Sequence, residues 1–197
     1  NSTKEKPVKF VPASGAASRM FKTLFEYKDG NGNDEDKGFN SSYHFFKEIK
    51  NFAFYEELIE HCKNNSVKEE DKRKILEVLL EEEGMNYGNL PKGLLKFHKY
   101  NDHVRTAAEE HLAEGAEYAD HNGSVSIHFT VSPEQLTAFK SHIAEMKGKY
   151  EQNYNVSYTI DFSIQKPATD TIAVEMNNKP FRNENGTILF RPGGHGA

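Results

Sequence analysis

The chain has 197 residues, 36% of them hydrophobic and 28% charged, enough for one sizeable domain with a moderate core. A formal net charge of −5 carries no basic excess, which argues against a protein that coats nucleic acid but leaves room for a local basic pocket. Cys62 is the single cysteine, so no disulfide framework can form within the chain, and no apolar run approaches the length of a membrane span.

The N-terminal stretch NSTKEKPVKF lacks the apolar core of a signal peptide, so a cytoplasmic location is expected. The Asn64–Ser66 and Asn185–Thr187 glycosylation triplets are accordingly read as chance in an Asn-rich chain. VKFVP, residues 8–12, reads as a short buried strand. ASGAASRMFK follows and leads into a helix expected over residues 18–27. Two readings are open for that stretch. One is a small-residue turn between strand and helix. The other is a phosphate cradle, in which small residues expose backbone N–H groups at a helix start and Arg19 supplies a fixed positive charge. The stretch lacks the G-K-[ST] of a Walker loop, which weakens a kinase reading.

KDGNGNDEDKG, residues 28–38, is polar and acidic and reads as a loop or boundary. From Ser41 to about Lys63 the apolar residues recur near a helical period, and a second helix is expected over residues 67–83, capped by Ser66 and stopped by Gly84. Residues 39–83 thus form a helical block. NYGNLPKGLLKFHKY breaks it. A helix is expected over residues 106–119, with Thr106 and Glu109 in a capping-box pattern. Glu109, Glu110 and His111 are read there as a solvated face plus cap. VSIHFTV, residues 125–131, is a strand. Ser132 then caps a helix with Pro133 at its first position, and residues 156–165 are another strand. TIAVEM, KPF and ILF read as short antiparallel strands around a turn. The histidines and Cys62 make no convincing metal set, with neither H-E-x-x-H nor a paired C-x-x-C. The order of elements favours an α/β fold with a parallel sheet and crossover helices.

Strand–GAASRM–helix resembles the nucleotide-binding signature of the sugar nucleotidyltransferases, the NDP-sugar pyrophosphorylases. In that family a Pro-Lys pair follows a few residues later. Here LPKGLL, residues 90–95, matches it at a distance, as though a helical insertion over residues 28–89 had displaced it. Lys22 is the competing lysine. FSIQKP and the terminal FRPGGHGA resemble the parts of UDP-sugar pyrophosphorylases that touch base and sugar. The fuller set, from VPASGAASRMFK through QKPATDTIAV to FRPGGHGA, resembles the uncharacterised bacterial family DUF4301.

The resemblance implies a Rossmann-like open, mostly parallel sheet with helices on both faces and a helical insertion after the first strand-loop-helix. It also implies magnesium-dependent transfer of a nucleotidyl group from a nucleoside triphosphate to a sugar 1-phosphate. Arg19 and Lys92 would hold the phosphates and offset charge on the leaving pyrophosphate. Ala13, Ser14, Gly15, Ala16, Ala17 and Ser18 would line the nucleotide, with Gln165, Gly193, Gly194 and His195 at base and sugar. Ala17 stands where the family's second signature glycine would be. The magnesium-binding aspartate lies, in that family, beyond the G-H-G motif, where this sequence stops, so an N-terminal fragment of a longer protein is expected and the ligand is not in this sequence. No nucleic-acid or membrane partner is expected. Two other function classes stay open: a non-catalytic nucleotide-binding module whose helical block docks a partner protein, and a purely structural α/β domain.

Overall fold

The computed structural model describes residues 5–15, 17, 19–33 and 35–191. In chain order the elements are β1 (Val8–Pro12), α1 (Lys22–Lys28), α2 (Ser42–Glu48), α3 (Tyr55–Asn64), α4 (Lys72–Leu80), β2 (Lys96–Lys99), β3 (Val104–Thr106), α5 (Ala107–Tyr118), β4 (Asp120–His121), β5 (Ser124–Val131), α6 (Leu136–Tyr154), β6 (Ser157–Ile164), β7 (Thr171–Ile172) and β8 (Phe190–Arg191). Among the described residues no helix is long and apolar enough to cross a membrane. The chain divides into two compact units, one over Asn1–Gly15 and Glu114–Ala197, the other over Ala16–Ala113.

The first unit is built on β5. β6 runs parallel to it along its whole length, from Ser124↔Ser157 to Val131↔Ile164. β1 also runs parallel to it, from Val8↔Ser126 to Pro12↔Thr130. The short β4 is antiparallel to the start of β5. The protein is therefore a mixed α/β chain whose main sheet is parallel in three strands and antiparallel in the fourth.

Alternation along β5 sends Val125, Ile127, Phe129 and Val131 to one face, where all four are buried. Both helical segments of this unit pack there. A Cβ on Gly115 of α5 would sit 3.0 Å from Ile127 Cδ1, and Phe139 of α6 meets Phe129 ring to ring at 5.9 Å. The expected helices on both faces are thus not found among the described residues of this unit. The physical reason is strand order. The chain steps from β1 to β5 to β6 in one direction, and successive right-handed crossovers that step the same way return on the same face.

The opposite face carries Val8 and Phe10, which are 60% and 63% exposed. This overturns the reading of residues 8–12 as a buried strand. The buried positions of β1 are Val11 and Lys9, whose ammonium pairs with Glu114 and lies 4.8 Å over the Tyr118 ring. Beyond β6, residues 171–191 form the expected antiparallel meander, with β7 on β8 and bridges at Val174–Pro180 and Arg182–Ile188.

The second unit holds its own core. Leu58, Leu76 and Leu79 are fully buried, each contributing roughly 1.5–3 kcal/mol. Around them Phe52 stacks on Phe54 at 5.1 Å, and Phe54 meets Tyr87 edge-on at 5.2 Å. Burial, seconded by the nearby Glu57 charge, raises the Tyr87 phenol well above its ordinary value.

Three expected helices have different limits. α1 opens at Lys22 rather than at residue 18. The stretch 41–63 is broken at Phe52, which is extended, with its ring stacked on Phe54 and tilted against Phe45. α4 is capped by Asp71, which accepts from the Lys74 N–H at 3.2 Å. Ser66 instead closes α3: it sits at φ 56°, and the Val67 N–H reaches back to the Cys62 carbonyl at 2.8 Å. The β2–β3 hairpin was not foreseen. At the start of α5 the expected capping box is present. The Thr106 N–H donates to Glu109 at 2.8 Å, and the Glu109 N–H donates to the Thr106 hydroxyl at 3.2 Å.

Candidate functional site

Three parallel strands of the first unit end side by side. Pro12 lies opposite Thr130, and Val131 lies opposite Ile164. Just past these ends the chain stays stitched together. The Ala13 N–H donates to the Thr130 carbonyl at 2.7 Å, and the Gln165 N–H donates to the Val131 carbonyl at 2.9 Å. Ala13, Ser132 and Gln165 therefore stand in a row at the carboxyl end of the sheet. In open α/β sheets that end is where ligands bind, because the strands deliver loops there that can diverge around a bound molecule.

The groups in that row have unmet bonding capacity. Among the described residues the amides of Ser14 and Gly15 make no hydrogen bond, and both residues are half-buried. Three buried side-chain atoms there also lack a partner among the described residues: Ser132 Oγ, Gln135 Oε1 and Gln165 Nε2. A native structure rarely leaves such atoms unmatched, so each one calls for an explanation. The exposed sheet face leads up to the same end. There His128 Nε2 lies 2.8 Å from Ser163 Oγ, which lies 3.0 Å from Thr130 Oγ1, and the Phe10 ring stacks on His128.

The remaining expected residues fall in the second unit or outside the described residues. Ala17 is fully buried, and its N–H is spent on the Leu90 carbonyl at 3.3 Å, so it has none to offer a phosphate. That same bond joins Ala17 to the LPKGLL segment. Lys92 opens a short 3-10 turn there and is exposed. Arg19 is exposed as well and borders an open depression of about 320 Å³ with Lys22, Phe25, Glu26, Asp29 and Asn31. Lys92 is not among those lining residues. Ala16, Ser18, Gly193, Gly194 and His195 lie outside the described residues.

Sequence reasoning missed Ser132 as anything but a helix cap, and it missed Gln135 altogether. The signal that could have found them is position, since both follow directly on the apolar run that ends β5. Ser132 stands at the cap position, but its side chain makes no capping bond.

A second polar cluster sits on the β2–β3 hairpin. Glu110 lies 3.0 Å from His98 Nδ1 and accepts from the Tyr100 hydroxyl at 2.8 Å and from Arg105 at 3.2 Å. Burial alone would raise its pKa. The bonds from Tyr100, His98 and Arg105 together outweigh that and hold the carboxyl below its ordinary range. Every partner in the cluster serves to fasten the hairpin to α5.

No curated protein and no solved structure matches the chain. The family model DUF4301, described as a domain of unknown function, matches residues 1–197. The chain belongs to the DUF4301 family, a domain of unknown function.

Proposed function

We propose that this chain binds a nucleoside triphosphate and forms part of a sugar-1-phosphate nucleotidyltransferase built on a Rossmann-like, mostly parallel sheet. The observation that carries the reading is the row of Ala13, Ser132 and Gln165 at three parallel strand ends, with Gln165 Nε2 buried and unmatched among the described residues. The Ser14 and Gly15 amides suit an anion, since backbone N–H groups beside each other concentrate positive potential. Arg19 and Lys92 are the cations the reading assigns to the phosphates. Arg19 can engage two oxygens at once, whereas Lys92 acts as a point charge.

In the reaction, an oxygen of the sugar phosphate forms a bond to the α-phosphorus. The bond from that phosphorus to the bridging oxygen breaks, and pyrophosphate leaves with the electron pair. The chain's part is positioning and charge: it aligns the two phosphates and offsets the negative charge that grows on the leaving group. Among the described residues no group of three His, Cys, Asp or Glu side chains could hold a metal ion; magnesium needs only one or two carboxylates beside the substrate's phosphates, and the reading expects its aspartate beyond the G-H-G motif.

Calorimetric titration of the protein with the four common triphosphates, magnesium present, tests the proposal. Arg19→Ala is expected to weaken binding by about 1.5–3 kcal/mol, the range for a charge-assisted hydrogen bond, while the surface control Arg73→Ala changes little. Equal binding by wild type and Arg19→Ala would remove Arg19 from the site. Binding without pyrophosphate release, assayed across sugar 1-phosphates, would leave a nucleotide-binding module in place of an enzyme. Absence of any triphosphate binding would end the reading.

A further inference from the structure

Gln165 Nε2 is not the only atom of this region buried without a partner among the described residues. Ser132 Oγ and Gln135 Oε1 share that condition, and Gln135 is only 7% exposed. The backbone keeps all three near one another. Ser132 follows Val131, whose carbonyl holds the Gln165 N–H at 2.9 Å, and the Gln135 N–H donates to the Ser132 carbonyl at 3.1 Å. Two adjacent strand ends thus present one buried acceptor, one buried donor and one hydroxyl that can do either.

We propose that Ser132, Gln135 and Gln165 form an uncharged seat for the neutral part of the ligand, an inference that rests on the nucleotide reading above. The chemistry of the three selects the occupant. None carries a charge, and Gln135 Oε1 is an acceptor that repels phosphate oxygens, which are acceptors themselves. The fitting group offers a donor and an acceptor side by side. A nucleobase edge does so, and so do the neighbouring hydroxyls of a sugar. The phosphates then belong at the end of β1, by Ser14 and Gly15, and the neutral portion at the ends of β5 and β6. An unmatched buried polar atom lowers stability while the site is empty. Retaining it makes sense where a ligand supplies the missing bond.

The test uses the whole chain in three forms: wild type, Gln135→Leu and Ser132→Ala. Each is titrated with the four triphosphates, the four free nucleosides and glucose, with ligand-detected NMR for the weak probes. Gln135→Leu is expected to weaken binding by roughly five- to tenfold, the effect of one neutral hydrogen bond, while the melting temperature without ligand stays level or rises. A merely structural glutamine would do the reverse, lowering the melting temperature with affinity unchanged. If Gln135→Leu fails to fold, Ser132→Ala carries the comparison. Loss confined to nucleosides identifies the base as occupant, and loss confined to glucose identifies the sugar. Triphosphate, nucleoside and glucose binding that is equal in all three proteins overturns the seat and leaves the nucleotide reading intact. A nucleoside or glucose that binds when no triphosphate does, and is lost in Gln135→Leu, upholds the seat and overturns the nucleotidyltransferase reading. No binding of any probe overturns both.

Discussion

Glu110 shows how much a single carboxylate can organise. Arg105 lies 4.6 Å over the Tyr100 ring, Tyr100 stacks on His103 at 4.7 Å, and Glu110 gathers Tyr100, His98 and Arg105 onto its two oxygens. Because its folded pKa lies below the ordinary 4.5, it adds stability that is present in full above that value. That stability is lost as the pH falls through the depressed folded value. Glu110→Gln is therefore expected to cost about 1–2 kcal/mol at neutral pH and progressively less in acid, where the wild-type carboxyl is itself protonated. Thermal melts of both proteins across the acid range check this. A gap between them that stays constant down to the lowest pH would show that the carboxylate charge contributes nothing. From the sequence, Glu109–Glu110–His111 read as a solvated face plus cap; Glu109 is the cap, whereas Glu110 is half-buried among its partners. The reason is that the partners of Glu110 come from a hairpin whose register cannot be deduced from local spacing.

At the scale of elements, what was legible followed alternation and capping. β5 and β6 declared themselves by β-branched and aromatic residues, and the α5 start by Thr106 and Glu109. β2 did not, because Lys96-Phe97-His98-Lys99 has one apolar residue and carries a register shift between Lys96 and His98. Ser66 misled because serine serves equally in a turn of positive φ that ends one helix and at the cap that begins another. Gly84 was rightly placed past the end of a helix, and the structure adds why it is glycine. After α4 the chain doubles back, the Met85 N–H donates to the Val78 carbonyl at 2.7 Å, and a Cβ on Gly84 would lie 2.0 Å from that carbonyl oxygen. Backbone cannot yield as a flexible side chain would. Gly84→Ala is expected to lower stability by about 2–3 kcal/mol or more, measured by urea denaturation. A loss under about half a kcal/mol would mean that this turn relaxes freely.

For the whole molecule, the sequence made the strand ends legible because parallel strands carry long apolar runs, and a run's end marks a loop. It did not make the chemistry of those ends legible. Whether Ser132 caps its helix, whether the Ala17 N–H is spent on Leu90, and which side-chain atoms of Gln135 and Gln165 are left unmatched among the described residues all depend on contacts between residues distant in the chain. Arg19 and Lys92 were read from motif spacing, and they fall in the second unit, whereas Ala13 and Gln165 fall in the first. The central claim is that the carboxyl ends of β1, β5 and β6 receive the nucleotide. Its most direct test is a backbone-amide NMR titration of the 22.4 kDa chain with each common triphosphate. The account predicts saturable shifts at Ala13, Ser14, Gly15, Ser132 and Gln135 and at the side-chain amide of Gln165. Saturable shifts confined to other residues, such as those around the Arg19–Asn31 depression or the exposed face bearing Phe10 and His128, would contradict it.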